Sequence, residues 1–97
     1  MNRTDALRIL TERSEEVRRR FAVNDLAIFG STARDETRTE SDLDVLVTFE
    51  GPSEFDRFMD LKFYLEELLG VRVDLVTQRA LRPELRPQIE REAIHVP

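Results

Sequence analysis

Apolar residues along this chain come in short runs separated by charged stretches, and their spacing switches between helical and strand-like periods. Leu7, Leu10, Val17 and Phe21 recur at helical spacing, with Ser14 filling the gap in the stripe. That pattern predicts an amphipathic helix from about Asp5 to Phe21, capped by Thr4, with its stripe turned to a core. Leu26-Ala27-Ile28-Phe29 follows as a short apolar strand ended by Gly30. Ser31 is placed to cap a short helix through Glu36, and Thr37 to Ser41 is a polar loop.

Asp42 to Phe49 alternates with the period of a strand. Leu43, Val45, Val47 and Phe49 form one wholly apolar face, expected under helices, while Asp42, Asp44, Leu46 and Thr48 share the other. Gly51-Pro52-Ser53 breaks the chain, and Ser53 with Asp56 resembles a capping box. A third helix is expected from there to about Leu69, with Phe55, Phe58, Met59, Leu65, Leu68 and Leu69 on a broad apolar face. Gly70 stands where a left-handed residue stops such a helix. Val71 to Val76 reads as a third strand, with Val71, Val73 and Leu75 on one side and Arg72, Asp74 and Val76 on the other. Pro87 starts a last helix, Gln88 to Ile94, with Leu85 and Ile89 packing inward. The alternation of helices and strands predicts a small two-layer α/β domain over 1–97, with few strands and helices mainly on one face.

Composition narrows the class. With 97 residues, 40% hydrophobic and 36% charged, the chain suits one soluble domain with a modest core. No apolar run approaches the ~20 residues of a membrane helix. Met1-Asn2-Arg3-Thr4-Asp5 lacks the apolar core of a signal peptide. The absence of cysteine excludes disulfides and thiolate metal sites, and a cytoplasmic location is the expectation. The net charge of −5, with Arg18-Arg19-Arg20 as the sole basic run, argues against direct nucleic-acid binding. A nucleotide held through metal ions remains compatible with that charge.

The candidate chemistry lies in three carboxylates and a turn. Asp42 and Asp44 project to one side of a strand, where like charges raise each other's pKa unless a cation lies between them. Mg²⁺ suits such a pair, since it uses few protein carboxylates and takes its other ligands from water and phosphate. Asp74 on a neighbouring strand would admit a second ion, about 3.5–4 Å from the first. Gly30 lets the backbone approach a phosphate, Ser31 offers a hydroxyl, and the amides opening the short helix point outward. The pattern is not a Walker loop. Each fragment alone has a plain explanation, a strand exit or a solvated strand edge, but their joint spacing is hard to explain as packing. His95 reads as a tail residue and Tyr64 as a packing residue. Glu66, Glu67, Glu90 and Glu92 read as ordinary helix-face charges. Arg72 either pairs with Asp74 or meets a phosphate.

Gly30-Ser31-x-Ala33-Arg34 followed by Ser41-Asp42-x-Asp44-x-x-Val47 resembles the signature of the minimal nucleotidyltransferases of the DNA polymerase β-like superfamily. The resemblance covers nearly the whole chain and implies the nucleotidyltransferase fold with a small mixed sheet. It implies that Asp42, Asp44 and Asp74 bind two Mg²⁺ ions, with Asp74 also activating the acceptor hydroxyl. Gly30 and Ser31 would contact the triphosphate of ATP, and Arg34 would lie near the phosphates or brace the loop. One departure is Asp35, where the family often has glycine. Many such proteins are antitoxins of HEPN-domain RNase toxins, so the resemblance implies AMP transfer to a toxin tyrosine. A non-catalytic antitoxin acting by occlusion is the alternative. So is a small-molecule nucleotidyltransferase that borrows its acceptor site from a second subunit.

Overall fold

The computed structural model describes residues 1–36, 42–52 and 54–97. The loop expected at Thr37 to Ser41, and Ser53 of the expected capping box, lie outside the described residues. The elements run α1 (Arg3–Phe21), β1 (Val23–Phe29), α2 (Gly30–Ala33), β2 (Leu43–Phe49), α3 (Phe55–Leu69), β3 (Val73–Thr77), α4 (Arg86–Glu92) and β4 (Ile94–His95). A 3-10 turn, Gln78–Ala80, follows β3.

The strands form one mixed sheet in the order β3-β2-β1-β4. β1 runs antiparallel to β2 and to β4, whereas β2 and β3 are parallel. A parallel pair needs a crossover, and α3 supplies it. α1 and α3 cover one face. From α1, Ala6, Leu10, Val17 and Phe21 are buried, and from α3, Leu61, Leu65 and Leu69 at four-residue spacing. They meet the expected apolar face of β2, Leu43, Val45, Val47 and Phe49, together with Val73 and Leu75 of β3. Removing a fully buried leucine side chain such as that of Leu10 costs about 2–5 kcal/mol.

The other face is covered only in part. Ala27, Phe29, Leu46 and Leu81 form a second apolar cluster, with Ile89 of α4 and the adjoining Ala93 packed on it. The end of β2 that carries Asp42 and Asp44 borders this cover.

Several expectations shift. α1 begins earlier because the Asn2 side chain, not Thr4, accepts the Asp5 amide hydrogen as its cap. β1 extends back to Val23, with a bulge between Val23 and Asp25. Ser31 lies inside α2 rather than at its cap, and no side-chain hydrogen bond caps that helix. Phe55 is 75% exposed, and Leu61 takes the inward place on α3. Leu85 is 47% exposed and does not pack inward. α4 stops at Glu92, because Ile94 leaves the helical path to pair with Ile28 of β1. Gly70 ends α3 in the left-handed region, as expected. Among the described residues no helix is long and apolar enough to cross a membrane.

Candidate active site

The turn after β1 and the leading end of β2 are in direct contact. Gly30 has a φ of +71°, and a Cβ there would lie 2.1 Å from Oδ2 of Asp44. Glycine is therefore required twice, by the left-handed backbone and by the carboxylate beside it. Asp44 pairs with Phe29 in the β1–β2 register and with Asp74 in the β2–β3 register. Aligned residues on neighbouring strands point the same way, so the two carboxyls meet on one face of the sheet.

Their environments differ. Asp44 is half-buried, while Asp42 and Asp74 are exposed. Burial first, then the charges of Asp74 and Asp42, push the Asp44 carboxyl up to about 6. Asp74 contributes both by repulsion and by sharing a hydrogen bond with the protonated form, and the Arg34 guanidinium opposes the shift. Asp74 does not stand buried within its strand, as the apolar residues around it suggest. It lies on the uncovered face, where its charge costs little.

Arg72 corrects another expectation. Its Nε lies 3.7 Å from Oδ1 of Asp42, not against Asp74, with the arginine 82% exposed. An ion pair this exposed contributes little to stability. Among the described residues no three acidic or histidine side chains converge on one point. The donor set nonetheless suits a hard divalent cation: oxygen ligands only, one of them pushed toward neutrality by burial and by its carboxylate neighbours.

The turn carries a contact that the sequence does not disclose. The Gly30 amide donates to Oε1 of Glu92 at 3.1 Å, and Arg34 Nη1 donates to Oε2 of the same residue at 3.0 Å. Arg34 Nε also donates to Glu36 at 3.2 Å. These carboxylates raise the Arg34 pKa further, so it stays a cation. Glu92 is 16% exposed and is not an ordinary helix-face charge. Its position, 62 residues from Gly30, left no local signal.

Asp35 follows with a φ of +60°, exposed to solvent. A left-handed backbone at this position gives a physical reason for glycine there. The remaining residues singled out in the sequence serve structure. Tyr64 packs on Phe21 at 5.3 Å and donates to Glu16. His95 lies 2.8 Å from Asp25 across the β1–β4 edge. Glu66 accepts the Val73 amide and pairs with Lys62, tying α3 to β3.

The site is thus a mixed sheet backed by two helices, with carboxylates on adjacent strands against a strand–glycine–helix turn. The nucleotidyltransferase domain family model matches residues 10–96, and the chain belongs to that family. It is similar to the protein adenylyltransferase MntA of Thermococcus cleftensis, 42% identical over 88 residues, spanning 91% of this chain and 89% of that one. A solved structure described as a minimal nucleotidyltransferase superposes with a TM-score of 0.82 at 45% identity, covering 97% of this chain and 95% of that one. A third similarity, in fold alone at 18% identity, is to a complex of tri-AMPylated Shewanella oneidensis HEPN toxin with MNT antitoxin. There the TM-score is 0.68, with 93% of this chain and 71% of that one covered. The protein is an enzyme of the nucleotidyltransferase class.

Proposed function

We propose that this chain is a Mg²⁺-dependent antitoxin that transfers AMP from ATP to a tyrosine of a HEPN-domain RNase toxin. One relationship carries the reading above the others. Asp44 and Asp74 are aligned on adjacent parallel strands, with Gly30 against Asp44 and Asp42 two residues away. Asp42, Asp44 and Asp74 would hold two Mg²⁺ ions, and Gly30, Ser31 and Arg34 would receive the triphosphate. When bound, the ions offset the charge of the carboxylates and of the phosphates.

The remaining roles belong to the chain's own residues. Asp74, exposed on the open face, would accept the proton of an incoming hydroxyl. That oxygen bonds to the α-phosphorus of ATP, the bond to the β-phosphate oxygen breaks, and pyrophosphate leaves. Arg34, a cation at the mouth of the turn, offsets charge on the phosphate chain. The named activity of the Thermococcus relative supports AMP as the transferred group. The AMPylated toxin in the Shewanella complex supports a protein acceptor. A cytoplasmic setting, where ATP and Mg²⁺ are supplied, goes with this reading.

Intact mass spectrometry tests it. The protein encoded beside this one is incubated with this chain, Mg²⁺ and ATP, with an Asp42→Asn/Asp44→Asn double variant as control. A gain of one or more AMP units, absent in the control, is the expected result. A stable complex with no mass gain would replace transfer by occlusion.

A further inference from the structure

We infer that Glu92 is a positioning residue for the nucleotide site, bracing the phosphate turn from the far end of the chain. The inference deepens the proposed function and rests on it. Glu92 uses both carboxylate oxygens, one for the Gly30 amide and one for the Arg34 guanidinium. These two groups are a backbone donor and a cation at the turn proposed to receive the triphosphate. No other carboxylate among the described residues touches both.

The sheet fixes this arrangement. Ile28 and Ile94 are paired across the antiparallel β1–β4 edge, and the pairing continues where the Val96 amide donates to the Leu26 carbonyl. Gly30 lies two residues beyond Ile28, and Glu92 lies two residues before Ile94. Antiparallel register therefore sets Glu92 opposite Gly30. On its other side, Glu92 is the last residue of α4, whose Ile89 packs on the second apolar cluster, as does the adjoining Ala93. A carboxylate held by a strand after it and a packed helix before it is a fixed brace. A plug that phosphate must displace would sit on a segment free to leave.

The brace has an electrostatic cost that argues for a purpose. It adds a negative charge to a neighbourhood that already holds three aspartates, and a purely structural role could be filled by a neutral acceptor. A carboxylate, unlike an amide, holds the guanidinium in a fixed direction by a charge-assisted bond. Arg34 donates to Glu92 and Glu36 through Nη1 and Nε. Its Nη2 makes no hydrogen bond with the described residues.

Binding of ATP with Mg²⁺ to the full chain, by NMR titration without any acceptor, separates the possibilities. Glu92→Ala is expected to weaken ATP binding about tenfold, the size of one charge-assisted contact. Glu92→Gln keeps an acceptor for Gly30 and should fall between wild type and Glu92→Ala. Arg34→Ala should weaken binding by itself, and Glu92→Ala should cost less on that background than in wild type, because Glu92 acts partly through Arg34. The Gly30 amide should exchange faster in Glu92→Ala while core amides keep their protection, a readout independent of nucleotide. Unchanged or tighter ATP binding by a folded Glu92→Ala would overturn the inference, and tighter binding would identify Glu92 as a competitor of phosphate. A wild-type chain that binds no ATP would instead overturn the reading on which the inference rests.

Discussion

Gly30 and Asp44 occupy one another's space so closely that a Cβ on Gly30 would fall 2.1 Å from the Asp44 carboxylate oxygen. The glycine thus sets how near the turn after β1 comes to the carboxylates. Gly30→Ala must leave its φ of +71°, or bear that strain and push the Asp44 carboxylate aside. The left-handed backbone alone costs about 1–2 kcal/mol. The expected result is a loss of at least that stability in urea unfolding, with ATP binding reduced further than stability explains. A variant with wild-type affinity would separate the turn from the nucleotide site.

The raised Asp44 pKa has a sign. Its folded value, about 6, exceeds the ordinary carboxyl value, so the native state holds this proton more tightly than the unfolded chain. Stability from this group is full below about pH 4 and is lost as pH rises through about 6. Asp44→Asn removes the ionised form. It should raise stability at pH 7 by about 1–2 kcal/mol, after discounting the shift for partial exposure. Below pH 4 the gain should vanish, as denaturant melts at several pH values would show. In the proposed mechanism Mg²⁺ binds the ionised carboxylates, so its affinity should rise with pH through the same range.

Asp42 and Asp74 are exposed and belong to no apolar cluster. Asp42→Asn and Asp74→Asn should therefore keep the fold, with Asp74→Asn gaining some stability at pH 7 as repulsion on Asp44 is relieved, while each reduces AMP transfer by about 100-fold or more, in line with general-base and metal-ligand roles. Asp74→Asn has a second expected effect. It removes the nearest like charge, so the Asp44 carboxyl should titrate nearer its ordinary value by NMR. Full transfer activity in both variants would remove these residues from the reaction.

Asp35 keeps a left-handed backbone at φ +60° with its side chain in solvent. Asp35→Gly relieves that conformation and should stabilise the chain by about 0.5–1 kcal/mol. It also removes a negative charge from the turn proposed to receive the triphosphate, so ATP should bind at least as tightly. A loss of stability would mean that the aspartate side chain supports the turn.

What the sequence determined by itself is local. The periods of two and 3.6 residues placed α1, β2, α3 and β3, because burial of one face acts on every second or every third to fourth residue. The alternation in β2 was enough to put Asp42 and Asp44 opposite Leu43, Val45 and Val47, and Gly70 marked the end of α3 by its backbone freedom. The motif spacing linked Gly30 to the carboxylates before any contact was known. Tertiary structure decided what depended on register between distant segments. β4 is a two-residue strand with no alternation to read, and only pairing with β1 draws Ile94 out of the helix expected there. That same pairing turns Glu92 from a presumed surface charge into the partner of Gly30 and Arg34. The parallel register of β2 and β3 sets Asp74 against Asp44 and leaves Arg72 to Asp42. Which charges meet across a sheet is set by strand pairing, and strand pairing is fixed by the burial of the whole core rather than by any one segment.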